Sequence, residues 1–364
     1  MTTGTILIRA INLDEVAEGS RGIGSSFVVR DLKDAVPSVM LENKYAPLSY
    51  AFTTAVSRAR LYVKVGILER GGEVVGFLPF QFSNLVRRLL RSAERVGGDM
   101  SDHCGIIGVA DFRLSPEQVL ELTNLSAFEF QDLSGLQKRY GLEGERATQG
   151  MRLDLGAGGT AYWLNLKQVN RHFTAEVERG ERQLVAKFGP LQFIRDTSES
   201  DAEKELSRLI FVKGQQYMTT IRKNLFHESW RRDLLRHILR SGDDQCAGVL
   251  STLYAGETWV ASHFGIRSNN VLHYWFPVYN VDFHRYSPGH ILTKYLICSA
   301  GEWGLAHLDL GGYGDYKRQF RPESYAMSAG MWLSSGTAGL MSHAYQSLAW
   351  WITTLHSRLM RKAH

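Results

Sequence analysis

The sequence predicts an α/β (α+β) protein built from two similar halves, and three observations carry that prediction. The chain has 364 residues, more than one hydrophobic core usually organises. A glycine-rich cluster, Gly156 to Thr160 (GAGGT), punctuates it near the middle. On both sides of that cluster the apolar pattern follows the same order of helix, hairpin, helix and strand. The duplicated rhythm implies two domains joined at the cluster.

The first half opens with a short strand candidate from Thr5 to Ile11 and a helical stretch from Leu48 to Ala59. Leu61 to Glu69 is β-rich, and Gly71-Gly72 turns it into Val74 to Phe82, a hairpin. Ser115 begins a helix to about Asn124, with Glu117 and Gln118 as first-turn or capping-box side chains. Ala127 to Asp132 and Met151 to Leu155 complete the strands. The arginines 87, 88, 91 and 95, interleaved with Val86, Leu89 and Leu90, have the pattern of a solvated helix face, with a phosphate- or lipid-facing role the alternative.

After the glycine cluster a charge-rich helix, Tyr162 to about Lys187, serves as the connector. Strand Leu191 to Asp196 and helices Ser200 to Tyr217 and Trp230 to Ser241 follow. Three strands then come in quick succession, Ala247 to Tyr254, Thr258 to Arg267 and Val271 to Val278, joined by turns of hairpin composition. Helix Pro288 to Gly304, strand Ala306 to Leu310 and strand Ala326 to Leu333 close the second half. The tail, Met341 to His364, is amphipathic: Leu348, Trp351, Ile352, Leu355 and Leu359 make a stripe, and Arg358, Arg361 and Lys362 end it. Packing across the protein's own core is the expected use of that stripe, with peripheral membrane contact the alternative.

With 44% hydrophobic and 22% charged residues, the composition suits a soluble globular protein with a sizeable core. A formal charge of +5 favours an anionic ligand such as a nucleotide or CoA-like molecule, and is too small to argue for nucleic acid. Cys104, Cys246 and Cys298 are odd in number and far apart, without metal-ligand spacing, so a reducing compartment and no metal are expected. Met1 to Glu15 holds no apolar run of signal length, and no uninterrupted apolar stretch reaches ~18 residues. The expected location is the cytoplasm.

Four segments could carry chemistry. Tyr286-Ser287-Pro288-Gly289-His290 opens a helix after a run of strands, where proline presets the first turn and glycine admits a ligand to the backbone. Unpaired amides and the positive helix end would hold phosphate there, with Ser287, Pro288, Gly289 and His290 as the binding residues; a plain helix start is the bland reading. In the segment from Asp309 to Lys317 (DLGGYGDYK), Asp309 could orient an amine or take its proton, and Lys317 could neutralise an oxyanion or a phosphate. Tyr313 and Tyr316 flank it as substrate contacts; the alternative is a tight turn with solvated charges. His263, inside a predicted central strand, is either a general base or a structural core histidine. Asp102 and His103, beside Cys104, suit a substrate-recognition loop or a structural turn, since no base or oxyanion hole supports a thiol nucleophile. Tyr274, in the strand His273 to Phe276, could wall an acyl channel or belong to the core.

The ordered run SHFGIR, HYWFPVYNVDFHRYSPGHIL, AGEWG and HLDLGGYGDYKRQF resembles the GNAT-like acyltransferases of the CelD/BcsL type, relatives of the FemABX transferases. The resemblance is strong over residues 160 to 335 and weaker before them. It implies two tandem GNAT-like domains, each a mixed, mainly antiparallel sheet flanked by helices. Residues 1–158 would form the acceptor side, 159–187 the connecting helix, 188–335 the catalytic domain and 336–364 the terminal amphipathic helix. It further implies an acyl-CoA donor, with the thioester along the splayed strand after Val271, and a small-molecule or lipid amine as acceptor. The segment Tyr286 to His290 stands where other GNAT enzymes carry R/Q-x-x-G-x-G/A. No nucleic-acid partner is expected unless the donor is an aminoacyl-tRNA, as in FemABX relatives; a non-catalytic accessory of polysaccharide assembly is the third reading.

Overall fold

The computed structural model describes residues 6–12, 46–60, 62–70, 73–108, 112–195, 199–220 and 224–362. The predicted Gly71-Gly72 turn, Thr5 and Asp196 lie outside them. The chain divides into two compact units: unit 1 comprises the residues up to Gln149 together with those from Ala326 onward, and unit 2 comprises Gly150–Tyr325. Strands and helices are numbered below in chain order.

Unit 1 is a largely antiparallel sheet with the order β1 (Ile6–Asn12), β2 (Val63–Arg70), β3 (Glu73–Gln81), β4 (Ser92–Glu94), β6 (Ala127–Ser134) and residues 326–333 of β13 (Glu323–Leu333). Only β4 and β6 run parallel, and the short β5 (Ile107–Gly108) pairs with β3. The predicted hairpin is β2–β3, in register from Val63↔Gln81 to Arg70↔Glu73. Helices α1 (Tyr50–Ala59), α2 (Leu85–Leu89) and α3 (Pro116–Leu122) accompany the sheet, as does α10 (Thr337–Lys362). α3 carries the predicted capping box, Ser115 and Gln118 each bonding the other's backbone amide. Phe80, Phe128, Phe130, Tyr140 and Trp332 fill the core.

Two arginines of the supposed solvated face are buried. Arg87 pairs with Glu94 at 2.9 Å and Glu129 at 2.8 Å, and Arg95 with Asp132 at 2.6 Å. Carboxylates from β4 and β6 compensate the desolvated guanidinium groups; Arg88 and Arg91 remain exposed.

Unit 2 has the strand order β8 (Leu191–Ile194), β9 (Ala247–Ala255), β10 (Thr258–Ser268), β11 (Val271–Tyr279), β12 (His307–Gly312) and residues 150–154 of β7 (Arg146–Asp154). All pairs are antiparallel except β11–β12. A parallel pair needs a crossover connection, and α8 (Pro288–Cys298) supplies it. The remaining helices are α4 (Gly159–Val169), α5 (Arg171–Phe188), α6 (Glu199–Thr219), α7 (Ser229–Leu239) and the single turn α9 (Asp315–Arg318).

The segment expected to connect two domains is instead part of unit 2. It forms two helices, and Trp163, Leu166, Phe173, Val177 and Leu184 enter the same core as Leu253, Leu272, Ile291 and Leu308. Two glycines make that packing possible. A Cβ at Gly159 would sit 1.6 Å from the Ile297 carbonyl oxygen, and one at Gly180 would sit 2.2 Å from the Tyr286 carbonyl oxygen. α4 and α5 thus press directly onto the backbone of α8 and of its entry turn, fixing the position of that helix's N-terminus.

Candidate functional site

The site of unit 2 begins where two parallel strands part. β11 and β12 pair at Val271↔His307, Leu272↔Leu308 and His273↔Asp309, and their ladder stops there. β11 continues to Tyr279 while remaining paired on its other edge with β10. Among the described residues, the β12-side edge of residues 274–279 therefore has no strand partner, and its backbone is available to an extended ligand. Between His273 and Phe276, β11 carries one residue more than the matching stretch of β10, Phe264 to Ile266. This β-bulge re-aims the side chains. Tyr274 bonds Thr293 of α8 at 3.1 Å, whereas the Phe276 ring meets Phe226 at 5.1 Å.

Two ionisable groups stand at the apex of the fork. His273 Nδ1 is 3.7 Å from Asp309 Oδ2, and each side chain is only 1% exposed. A second bulge, at Leu310 of β12, interrupts the pairing with β7. Gly311 follows it at φ +69 and donates its amide to Asp309 Oδ1 at 2.8 Å. The Tyr325 hydroxyl donates to both carboxylate oxygens, each at 2.9 Å. Tyr325 is half-buried, so its phenol links the enclosed carboxylate to the surface. Lys317 closes the glycine-rich turn by donating to the carbonyls of Leu310 at 2.6 Å and Gly312 at 2.8 Å.

The third part is the entrance to α8. Ser287 adopts the left-handed region (φ 56, ψ 50) and its side chain caps nothing. Pro288 begins the helix and has no amide hydrogen. The amides of His290 and Ile291 both reach the Ser287 carbonyl, at 3.0 and 3.1 Å. Helix geometry gives the Gly289 amide no acceptor within its own helix. Space beside Gly289 is open, for a Cβ there would meet nothing nearer than Tyr279 Cδ1 at 3.9 Å. The positive end of α8 therefore adjoins the far end of the unpaired β11 edge, an arrangement suited to an anion. His290 turns aside, its ring lying 5.1 Å from Phe173 and 5.8 Å from Phe320, and burial lowers its pKa against the opposing pull of Glu176.

His263 occupies a different environment. It is fully buried on β10 and stacked on Tyr274, with ring centroids 4.5 Å apart and planes at 12°. Neither ring nitrogen has a hydrogen-bond partner among the described residues. Desolvation lowers its pKa to about 3, so the ring is neutral and takes up a proton reluctantly. Burial likewise raises the phenol of Tyr274. Tyr313 and Tyr316 are half-exposed; Tyr313 donates to Asp315 at 2.8 Å, and desolvation around the Tyr316 hydroxyl raises it to about 12.

Unit 2 thus gathers Asp309 and Lys317 in one turn, His263 and Tyr274 in one stack, and Ser287, Pro288, Gly289 and His290 at one helix end. Asp102 and His103 belong to unit 1, where His103 is buried and its carbonyl accepts from Ser101 Oγ at 2.8 Å. No motif in the sequence marks His273 or Tyr325 for chemistry. His273 reads there as part of an aromatic strand, and Tyr325 approaches Asp309 only through the fold. Burial raises all three cysteine thiols, Cys104 to about 12, which leaves them poor nucleophiles.

Residues 171–318, from α5 to α9, match the family model described as an acetyltransferase (GNAT) domain. Several solved structures are similar to this chain at low identity. The crystal structure of FemX is 11% identical, with 78% of this chain and 90% of that one covered and a TM-score of 0.50. The C-terminal domain of a putative lysylphosphatidylglycerol synthetase from Agrobacterium fabrum is 14% identical, with coverage of 88% and 96% and a TM-score of 0.51. A tandem GNAT protein from the clavulanic acid biosynthesis pathway is 8% identical, with coverage of 90% and 98% and a TM-score of 0.46. Among curated proteins none matches this sequence. The match to that model falls within the second unit, and the fork, its buried carboxylate and the open helix end all lie inside the matched residues.

Proposed function

We propose that the chain is an acyl-CoA-dependent N-acyltransferase acting on a primary amine. The observation that carries this reading is the fork: an unpaired strand edge from Tyr274 to Tyr279, with a free glycine amide at one end and Asp309 at the other. The dimensions of an acyl-CoA molecule suit such a track. Its diphosphate would bind at Gly289, its amide-containing arm would pair with the β11 edge, and its thioester would reach the apex. The resemblance to CelD/BcsL-type proteins supports an amino sugar or lipid amine of envelope or exopolysaccharide synthesis as the acceptor.

The transfer is direct. The acceptor ammonium first loses a proton through the Tyr325 hydroxyl to Asp309, which the Gly311 amide holds in place. The neutral amine attacks the thioester carbonyl carbon, the C–N bond forms, and the C–S bond breaks. The CoA thiolate leaves and takes up the second proton that the attacking nitrogen sheds, while Asp309 returns the first to solvent. Backbone amides at the fork stabilise the oxyanion. Lys317 holds the turn through its two carbonyls rather than facing the reacting atoms, and His263 sits under α8 as a neutral core ring.

The test is thiol release by the purified chain with acetyl-, hydroxybutanoyl- and long-chain acyl-CoA, each combined with glucosamine or phosphatidylethanolamine. Release that needs both donor and amine, and that Asp309→Asn lowers by roughly a hundredfold, is the expected result. Transfer that requires charged tRNA and disappears with RNase would replace the donor. A folded protein inert toward every pair would favour an accessory role.

A further inference from the structure

The terminal helix of unit 1 is amphipathic in an inverted sense. Its polar residues make the contacts with the rest of the unit: Ser342 Oγ lies 2.7 Å from Ser126 Oγ, Gln346 donates to Ser92 Oγ at 2.8 Å, and Asn84 donates to the Tyr345 hydroxyl at 3.3 Å. Its apolar residues stand in water. Leu340, Met341, Leu348 and Trp351 are 56–71% exposed, and in a 3.6-residue period they fall along one stripe. Leu355 and Leu359 continue the same spacing in the sequence. Of the stripe expected to pack across the protein's own core, Leu348 and Trp351 are exposed, while Ser342 and Gln346 take the inward side; the side chains of Ile352, Leu355 and Leu359 lie outside the described residues.

α2 adds to the exposed apolar surface. Asn84, just before it, and the Leu90 carbonyl, just after it, both contact α10, and the residues between expose Leu85, Val86 and Leu89. The two segments themselves carry charge of one sign, the neighbouring Glu94 and Glu129 being paired with Arg87. Neither residues 83–93 nor residues 337–362 contain an aspartate or glutamate. Arg88 and Arg91 are exposed beside the α2 leucines, and Arg358, Arg361 and Lys362 end α10.

A contiguous apolar face of this kind marks an interaction surface. A protein partner would commonly meet it with matched charges of both signs. An acid-free helix with a tryptophan, a leucine stripe and terminal cations is instead suited to the boundary of an anionic bilayer, where apolar side chains enter the acyl region and cations meet lipid phosphates. No helix among the described residues is long and apolar enough to cross a membrane, so this contact would lie in the interface plane. We propose that α2 and α10 form a docking face for an anionic lipid surface.

Co-sedimentation of the full chain with phosphatidylcholine vesicles, with and without phosphatidylglycerol, tests this. The chain should sediment with the anionic vesicles and be released by salt. The exposed-site double variant Leu348→Asp/Trp351→Asp should bind about tenfold more weakly or less, with an unchanged melting temperature. Arg358→Ser/Arg361→Ser should lose the preference for phosphatidylglycerol without unfolding. Failure of the wild-type chain to bind either vesicle would overturn the proposal, as would a soluble dimer, seen by light scattering, that Leu348→Asp/Trp351→Asp dissociates while vesicles bind nothing.

Discussion

The hydroxyl of Tyr325 bridges both oxygens of the Asp309 carboxylate, at 2.9 Å each. A side chain sixteen positions later in sequence thereby joins an enclosed acid to a half-exposed phenol. The bridge stands at the point where β11 and β12 cease to pair, so the carboxylate and the unpaired strand edge share one origin. The predictions below follow from that arrangement and from the packing around it.

Asp309→Asn preserves shape but removes the basic oxygen, and should lower kcat by about 10²–10⁴. Tyr325→Phe should lower it less, by about tenfold, and move the pH profile because the carboxylate loses a charge-assisted hydrogen bond. Steady-state kinetics over a pH series, beside melting curves, checks both. Equal melting losses with no kinetic change would make the pair structural.

Gly289→Ala separates ligand binding from stability. The new methyl group has room within the protein, with Tyr279 Cδ1 at 3.9 Å, and alanine favours a helix by about 0.5–1 kcal/mol over glycine. The variant should melt at the same or a higher temperature. Its KM for the acyl donor should rise about tenfold, because the methyl group occupies the approach to the amide proposed to bind phosphate. Calorimetry and initial rates together decide the matter.

His263 makes stability fall in acid. Its pKa is about 3 in the folded chain and has the ordinary imidazole value of about 6.5 when unfolded. Between those values the unfolded state binds a proton that the folded state refuses. Stability is therefore intact above about pH 6.5 and declines, as pH drops toward 3, by about 1.4 kcal/mol per pH unit. His263→Leu should be less stable at neutral pH but show a shallower decline, with thioester chemistry retained. Urea titrations at pH 7, 6 and 5 measure the two slopes; parallel slopes would contradict the assignment.

Lys317→Met removes the two charged hydrogen bonds that close the Leu310–Gly312 turn. A loss of about 1–2 kcal/mol in unfolding free energy is expected, seen as a lower urea midpoint. The pH dependence of kcat should keep its shape, since the ammonium does not face the reacting atoms. A large fall in kcat without loss of stability would return Lys317 to an oxyanion role.

Much of this fold was legible because its units are local. The β2–β3 hairpin and the run β9, β10, β11 are rich in strand-forming residues, and their observed limits fall within one or two residues of those expected. Pro288 announced α8. What escaped depended on partners distant in sequence. The charged surface of residues 162–187 masked the stripe Trp163, Leu166, Phe173, Val177 and Leu184, which identifies α4 and α5 as core helices only once β9 and α8 are in place. The bulge at Tyr274–Trp275 has no glycine to mark it and appears only against β10. The residues 326–333 end the second half in sequence yet pair with β6 in unit 1. Of the two roles that the sequence leaves open to His263, its burial and its stack on Tyr274 agree with the core one.

Hydrogen exchange of the backbone amides, with and without acyl-CoA, tests the central claim most directly. The account predicts slowed exchange at residues 274–276 and 278–279 of β11 and at Gly289, caused by a donor lying along the fork. A folded chain that binds no acyl-CoA, or whose protection falls elsewhere in unit 2, as in the groove between Arg195, Arg240 and Trp303, would contradict it.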